Sequence, residues 1–124
     1  MVLEKMTDKN ILLKSKPYLL YENKSIFDAI KKLQKSKIKA LIIINKKKKL
    51  IGTITDGDIR RGILKGYNGS DTILNVVNKK PYKKILGSKN SNKLKKNNIS
   101  ILPVVNKKNI LKSIEFFNFK SDFN

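Results

Sequence analysis

Two stretches of this chain are versions of one another. Ala40-Leu-Ile-Ile-Ile-Asn-Lys-Lys lies over Ile101-Leu-Pro-Val-Val-Asn-Lys-Lys at a constant offset of 61 positions, which is what a duplication leaves behind. The flanks agree. Lys16-Pro17-Tyr18 echoes Lys80-Pro81-Tyr82, each opening an extended segment, and Leu50-Ile-Gly-Thr-Ile faces Ile110-Leu-Lys-Ser-Ile after a one-residue deletion. One such unit cannot cover its own sheet, so two are expected to pack through their sheets with the helices outside. The 124 residues suffice for two small interlocked repeats that fold without staples, and exclude a large multidomain enzyme.

The first copy reads clearly. Ile26, Ala29, Ile30 and Leu33 recur at helical spacing, and Ser25 with Asp28 forms a capping-box pattern ahead of them. Ala40–Asn45 is a short apolar run rich in β-branched residues, as in a buried strand. Lys46-Lys47-Lys48-Lys49 follows as a polar hairpin turn, Leu50–Thr55 is the next strand, and Thr55-Asp-Gly-Asp-Ile-Arg-Arg opens a second helix that stops near Gly66 and Gly69. In the second copy the helix-forming stretch at 90–97 is shorter and poor in apolar residues, which predicts a brief helix. The expected fold is α/β, two βαββα repeats related by a pseudo-twofold axis. The first repeat spans 11–69, the second and shorter one 70–118, and a tail 119–124. Phe116, Phe117, Phe119 and Phe123 make this end aromatic, with core packing the default reading and a dimer contact or a seat for a further domain the alternatives.

Composition removes whole classes of chemistry. With no cysteine and no histidine there are no disulfides, no zinc-finger spacing, no thiol nucleophile and none of the usual neutral-pH proton shuttle. No enzyme activity, cofactor or metal is expected. The formal net charge of +20 admits a nucleic-acid partner held by phosphate contacts. Its lysines, however, are spread among abundant Asn and Ile, without the arginine and aromatic platforms that stacking uses, so compositional drift is the simpler reading. The N-terminal stretch mixes charge into every turn and reads as neither a signal peptide nor a spanning helix, so a cytoplasmic protein away from membranes is expected.

From about Ile11 to Phe117 the chain resembles the cystathionine-β-synthase (CBS) domain pair, or Bateman module. The most specific piece is Leu50-Ile-Gly-Thr-Ile-Thr-Asp-Gly-Asp-Ile-Arg-Arg, which is similar to the family's Gly, two apolar-leaning residues, Ser or Thr, two variable residues, Asp signature. It looks closest to pairs attached to sugar-nucleotide nucleotidyltransferases. No glycine-rich start of such a domain follows Asn124, so the chain is expected to be either a fragment or a stand-alone relative. The resemblance implies regulation by an adenine nucleotide such as AMP, ADP or ATP, a homodimer, and control of an attached or partner nucleotidyltransferase. It implies a ligand site comprising Gly52, Thr53, Thr55, Asp58, Arg60, Arg61 and Pro103. Asp58 would accept the ribose hydroxyls, Thr55 would contact ribose or phosphate, and Gly52 would admit a close approach of strand and ligand.

Each assignment has a plainer competitor. Thr55 with Asp58 also fits an ordinary capping box, while the preceding strand, Gly52 and the repeat context favour a site. Arg60 and Arg61 are the only arginines, placed together in the expected first turn of the helix, where guanidinium suits phosphate oxygens. A surface salt bridge to Asp56 or Asp71 is the alternative. Pro103 either lines a cleft or merely sets the start of its strand. In the second repeat Lys112 stands at the Gly52 position, Glu115 at Thr55 and Asn118 at Asp58, so that site is expected to be degenerate. A ligand-free structural dimerisation module is the competing function.

Overall fold

The structure, a computed structural model, describes residues 2–5, 16–88 and 100–117. The helix expected at 90–97, together with Asn118, Phe119 and Phe123, lies outside the described residues. In chain order the elements are β1 (Val2–Lys5), β2 (Leu19–Tyr21), α1 (Ile26–Lys35), β3 (Ala40–Ile44), β4 (Leu50–Thr55), α2 (Asp56–Leu64), β5 (Lys84–Ile85), β6 (Ile101–Val105) and β7 (Leu111–Phe117). Short 3₁₀ turns at Lys16–Tyr18 and Ile73–Asn75 punctuate them.

β3 shows why its sequence is an uninterrupted apolar run: all five of its residues are buried. Ala40, Ile42 and Ile44 point into a core shared with Ile101, Val105, Leu111 and Ile114 of the second repeat. Leu41 and Ile43 point the other way, against Ile26, Ala29 and Leu33 of α1 and Ile59 of α2. A strand covered on both faces has no position left for a polar side chain. The architecture is therefore helices on one sheet, and that sheet packed on a second one, in agreement with the expected α/β class.

The first sheet runs β2-β3-β4, with β2 parallel and β4 antiparallel to β3. The second runs β1-β7-β6-β5, with β5 parallel and β7 antiparallel to β6. The N-terminal strand β1 was not legible in the sequence. It crosses to the other repeat and pairs antiparallel with β7, Lys5 opposite Glu115 and Val2 opposite Phe117.

The pseudo-twofold relation is literal at the hairpins. Asn45 and Asn106 bend their turns identically: Asn45 Oδ1 accepts from Lys47 N (2.9 Å) and Lys49 N (3.0 Å), and Asn106 Oδ1 from Lys108 N (2.9 Å) and Ile110 N (3.0 Å). Lys48 and Asn109 both adopt left-handed backbone, at φ 65° and 66°. The turns also clasp each other: Leu50 N donates to Asn109 O (2.9 Å) and Leu111 N to Lys48 O (2.8 Å). Asn tolerates the left-handed region, whereas Lys is strained there. Lys48→Gly is therefore expected to stabilise the fold by roughly 0.5–1 kcal/mol, read as a higher midpoint in urea with an unchanged slope; a lower midpoint would show that Lys48 is not strained.

Candidate functional site

α2 begins where β4 ends, at Thr55, whose extended backbone (φ −122°, ψ 173°) turns the chain into the helix. Thr55 Oγ1 accepts from Asp58 N (3.3 Å), and Asp58 Oδ2 accepts from Thr55 N (2.9 Å) and Thr55 Oγ1 (3.1 Å). The capping box is thus complete, as it is at Ser25 and Asp28. The other oxygen of Asp58 is engaged as well: Arg61 donates a guanidinium N–H to Oδ1 at 2.8 Å. Arg61 is the exposed member of that pair, its side chain 67% accessible against 16% for Asp58, so the contact contributes little.

Two expectations about the arginines are corrected here. Thr55 caps the helix at Asp56, so Arg60 and Arg61 stand beyond the first turn. The salt bridge goes to Asp58 rather than to Asp56 or Asp71. Three residues separate Arg61 from Asp58, which puts both on one helix face; Asp71 instead accepts from Asn68 N (2.8 Å) in its own turn. Arg60, with Asp56 and Lys39, lines a solvent-open groove between α1 and α2.

Gly52 permits a close approach, but by the chain itself. A Cβ there would overlap the Asn78 carbonyl oxygen and a Val77 methyl group. This strap is held to Thr53, whose N–H donates to Asn78 O (3.1 Å) and whose carbonyl accepts from Asn78 N (2.8 Å). Gly52 and Thr53 therefore seat the connection between the repeats, a role with no separate signal in the sequence. Pro103 is buried in β6 opposite Ile114, in the second sheet, on the strand face shared by Ile101 and Val105. The structure thus interlocks Thr55, Asp58 and Arg61, places Gly52 and Thr53 under the strap, and leaves Pro103 in the sheet.

The strand register corrects the reading of the second repeat. Ile43 faces Gly52 in the first hairpin and Val104 faces Ser113 in the second, with the same irregularity one residue along. The 61-residue offset thus continues without a deletion. Ser113 corresponds to Gly52, Glu115 to Ile54 and Phe116 to Thr55. Glu115 is buried and ion-paired with Lys84 at 3.2 Å. Phe116 packs at a tilt against Tyr18, with ring centroids 5.2 Å apart and planes at 59°. Where the first repeat starts a helix, β7 runs on as a strand to Phe117, paired with β1. The second repeat therefore has neither the hydroxyl nor the helix start at this position.

Comparison with known proteins follows this geometry. A family model described as CBS domain matches residues 9–65. An uncharacterized protein of Rickettsia prowazekii (strain Madrid E) is 31% identical over 90 residues, 70% of this chain and 28% of that protein. A CBS domain protein from Streptococcus pneumoniae TIGR4 is 16% identical with a TM-score of 0.68, covering 88% of this chain and 84% of that one. CbpB in complex with c-di-AMP is 19% identical with a TM-score of 0.70, covering 90% and 79%. CBSX2 in complex with AMP is 21% identical with a TM-score of 0.66, covering 83% of each. Residues 9–65 thus match the CBS domain model, and the chain shares the fold of CBS-domain structures. The chain spans little more than a quarter of the curated relative's length.

Because the Val77-Asn78 strap fills the space beside Gly52, Gly52→Ala is expected to cost about 1–3 kcal/mol through overpacking. Chemical denaturation measures it, and a cost near zero would show that the strap shifts freely.

Proposed function

We propose that this chain is a regulatory module that binds an adenine nucleotide at the start of α2 and performs no chemistry of its own. The observation that carries the reading is the state of Asp58. One carboxylate oxygen is committed to the cap, and the other is held by an exposed arginine that a better donor can replace. The two hydroxyls of a ribose are such donors. Displaced from Oδ1, Arg61 becomes available to a phosphate, to which its planar fork is well matched, next to a helix N-terminus whose dipole favours negative charge. Thr55 supplies the hydroxyl beside the ribose and Arg60 a second positive charge. Two structures of the same fold are complexes with adenine nucleotides, which supports this ligand class. On this reading the module controls an attached or partner enzyme, a sugar-nucleotide nucleotidyltransferase being the candidate that Thr-Asp-Gly-Asp-Ile-Arg-Arg suggests.

Thermal unfolding with AMP, ADP, ATP and GTP tests the proposal. Linkage stabilises by about 2.7 kcal/mol at a ligand concentration of 100 Kd, so one adenine nucleotide is expected to raise Tm measurably. The rise should vanish in Asp58→Ala, each variant being compared with its own ligand-free Tm to separate binding from the cap lost. Equal shifts in both proteins would place binding elsewhere, and no shift with any nucleotide would reject the site.

The outer helical layer supports a second, compatible reading. Phe27 of α1 and Ile63 and Leu64 of α2 are exposed apolar side chains, Leu64 at 81%, and an apolar helix face of this kind suits a second copy of the chain. Light scattering is expected to give a dimer that Leu64→Glu dissociates into monomers; a concentration-independent monomer would reject it. No helix of the described residues is long and apolar enough to cross a membrane. RNA binding whose affinity falls steeply with salt and is indifferent to Asp58→Ala would instead favour the nucleic-acid alternative.

A further inference from the structure

A solvent-open groove of about 720 Å³ lies along the outer face of α1, and Thr55, Asp58, Arg60 and Arg61 are not among its lining residues. Five lysines converge on it: Lys16 from the 3₁₀ turn, Lys24 from the turn before α1, and Lys31, Lys32 and Lys35 from the helix itself. The spacing of the last three puts them on one helical stripe. Asp28 is the one carboxylate on the wall, and Ser25 already occupies it: Asp28 Oδ2 accepts from Ser25 N and Ser25 Oγ, both at 3.0 Å. Those hydrogen bonds hold the Asp28 carboxyl below its ordinary value of 3.8, so it stays ionised and committed to the cap. None of the five lysines forms an ion pair among the described residues; Lys31 instead rests over the Phe27 ring, 5.0 Å from its centroid.

We propose that this groove is a second anion site, separate from the Asp58 site, which takes a short chain of contiguous phosphate groups. The geometry favours a compact ligand, because the five lysines line one concavity. A chain of linked phosphates matches it by placing several charged oxygens within the reach of flexible lysine stems. Scattered lysines of a basic protein have no reason to crowd. Here crowding has a cost: burial, and then the charges of Lys16, Lys24 and Lys35, lower the pKa of the Lys32 ammonium. A cluster of five lysines facing one carboxylate that is already committed to a cap is the pattern of a binding site in its unliganded form. The lysines of the hairpin turn at 46–49 line no part of the groove.

The experiment is calorimetric titration of the full chain with inorganic tripolyphosphate at fixed ionic strength. Saturable binding of one ligand per chain is expected. Lys24→Met with Lys32→Met should weaken it at least about tenfold, as the loss of two charge-assisted hydrogen bonds requires. Lys46→Gln with Lys47→Gln, which removes the same charge from the hairpin, should change it less than about twofold. Asp58→Ala should leave it intact, so the outcome is independent of the proposed nucleotide site. Lys32→Met alone should also raise the Tm of the ligand-free protein, which shows that the variant is folded. ATP competing with tripolyphosphate would identify a nucleotide tail as the source of the phosphates, and failure to compete would identify inorganic polyphosphate; both keep the site. Equal losses in the groove and hairpin variants would reduce the effect to net charge and overturn the proposal, as would no saturable binding.

Discussion

Ile42, Ile44 and Leu50 of the first sheet pack against Ile101, Val105, Leu111 and Ile114 of the second, and this shared core is the constraint to which the remaining structure answers. Each buried aliphatic side chain contributes about 1.5–3 kcal/mol relative to exposure, and a three-stranded sheet with two helices leaves one apolar face that only the other repeat covers. The mutual clasp of the two turns, Leu50 to Asn109 and Leu111 to Lys48, fixes how the sheets meet. β1 adds a covalent reason for unity, since the N-terminal strand of the chain completes the sheet of the second repeat. The repeats are therefore expected to fold together.

Within this symmetric frame the two repeats have diverged where the last strand of each hairpin ends. In the first, β4 ends at Thr55 and a helix starts, giving a cap, a carboxylate and two arginines in two turns. In the second, the strand continues, Phe116 packs on Tyr18, and the Lys84–Glu115 pair occupies positions that the first repeat fills with Leu20 and Ile54. A buried ion pair adds little net stability against an apolar pair of similar volume. Asymmetry of this kind lets a duplicated fold keep one site while the other half becomes scaffold.

Much of the fold was legible because it rests on patterns that survive without tertiary information. The Ala40–Ile44 run, the Ser25–Asp28 and Thr55–Asp58 capping boxes and the 61-residue repeat each encode local geometry. The register of the second hairpin was not legible. Leu50-Ile-Gly-Thr-Ile and Ile110-Leu-Lys-Ser-Ile align by apolar character, and a one-residue slip costs nothing on paper, whereas in the sheet it turns every side chain to the other face. The slipped alignment sets Glu115 against Thr55, whereas in the sheet it corresponds to Ile54. The strand β1 and the Val77-Asn78 strap were hidden for another reason, since both owe their form to partners far along the chain. The Asp58–Arg61 contact follows from helical spacing and could have been read; the lysine groove needed the 3₁₀ turn at Lys16 to be set beside α1.

The central claim is that the first repeat alone carries the nucleotide site, and the most direct test is an ¹⁵N NMR titration of the chain with the adenine nucleotide that stabilises it best. The account predicts one ligand per chain, with the largest shifts at the Thr53–Arg61 amides and at the Arg61 side chain as it leaves Asp58, while Ser113–Phe117 stay nearly unmoved. Comparable saturable shifts at Ser113–Phe117, or two ligands per chain, would contradict it.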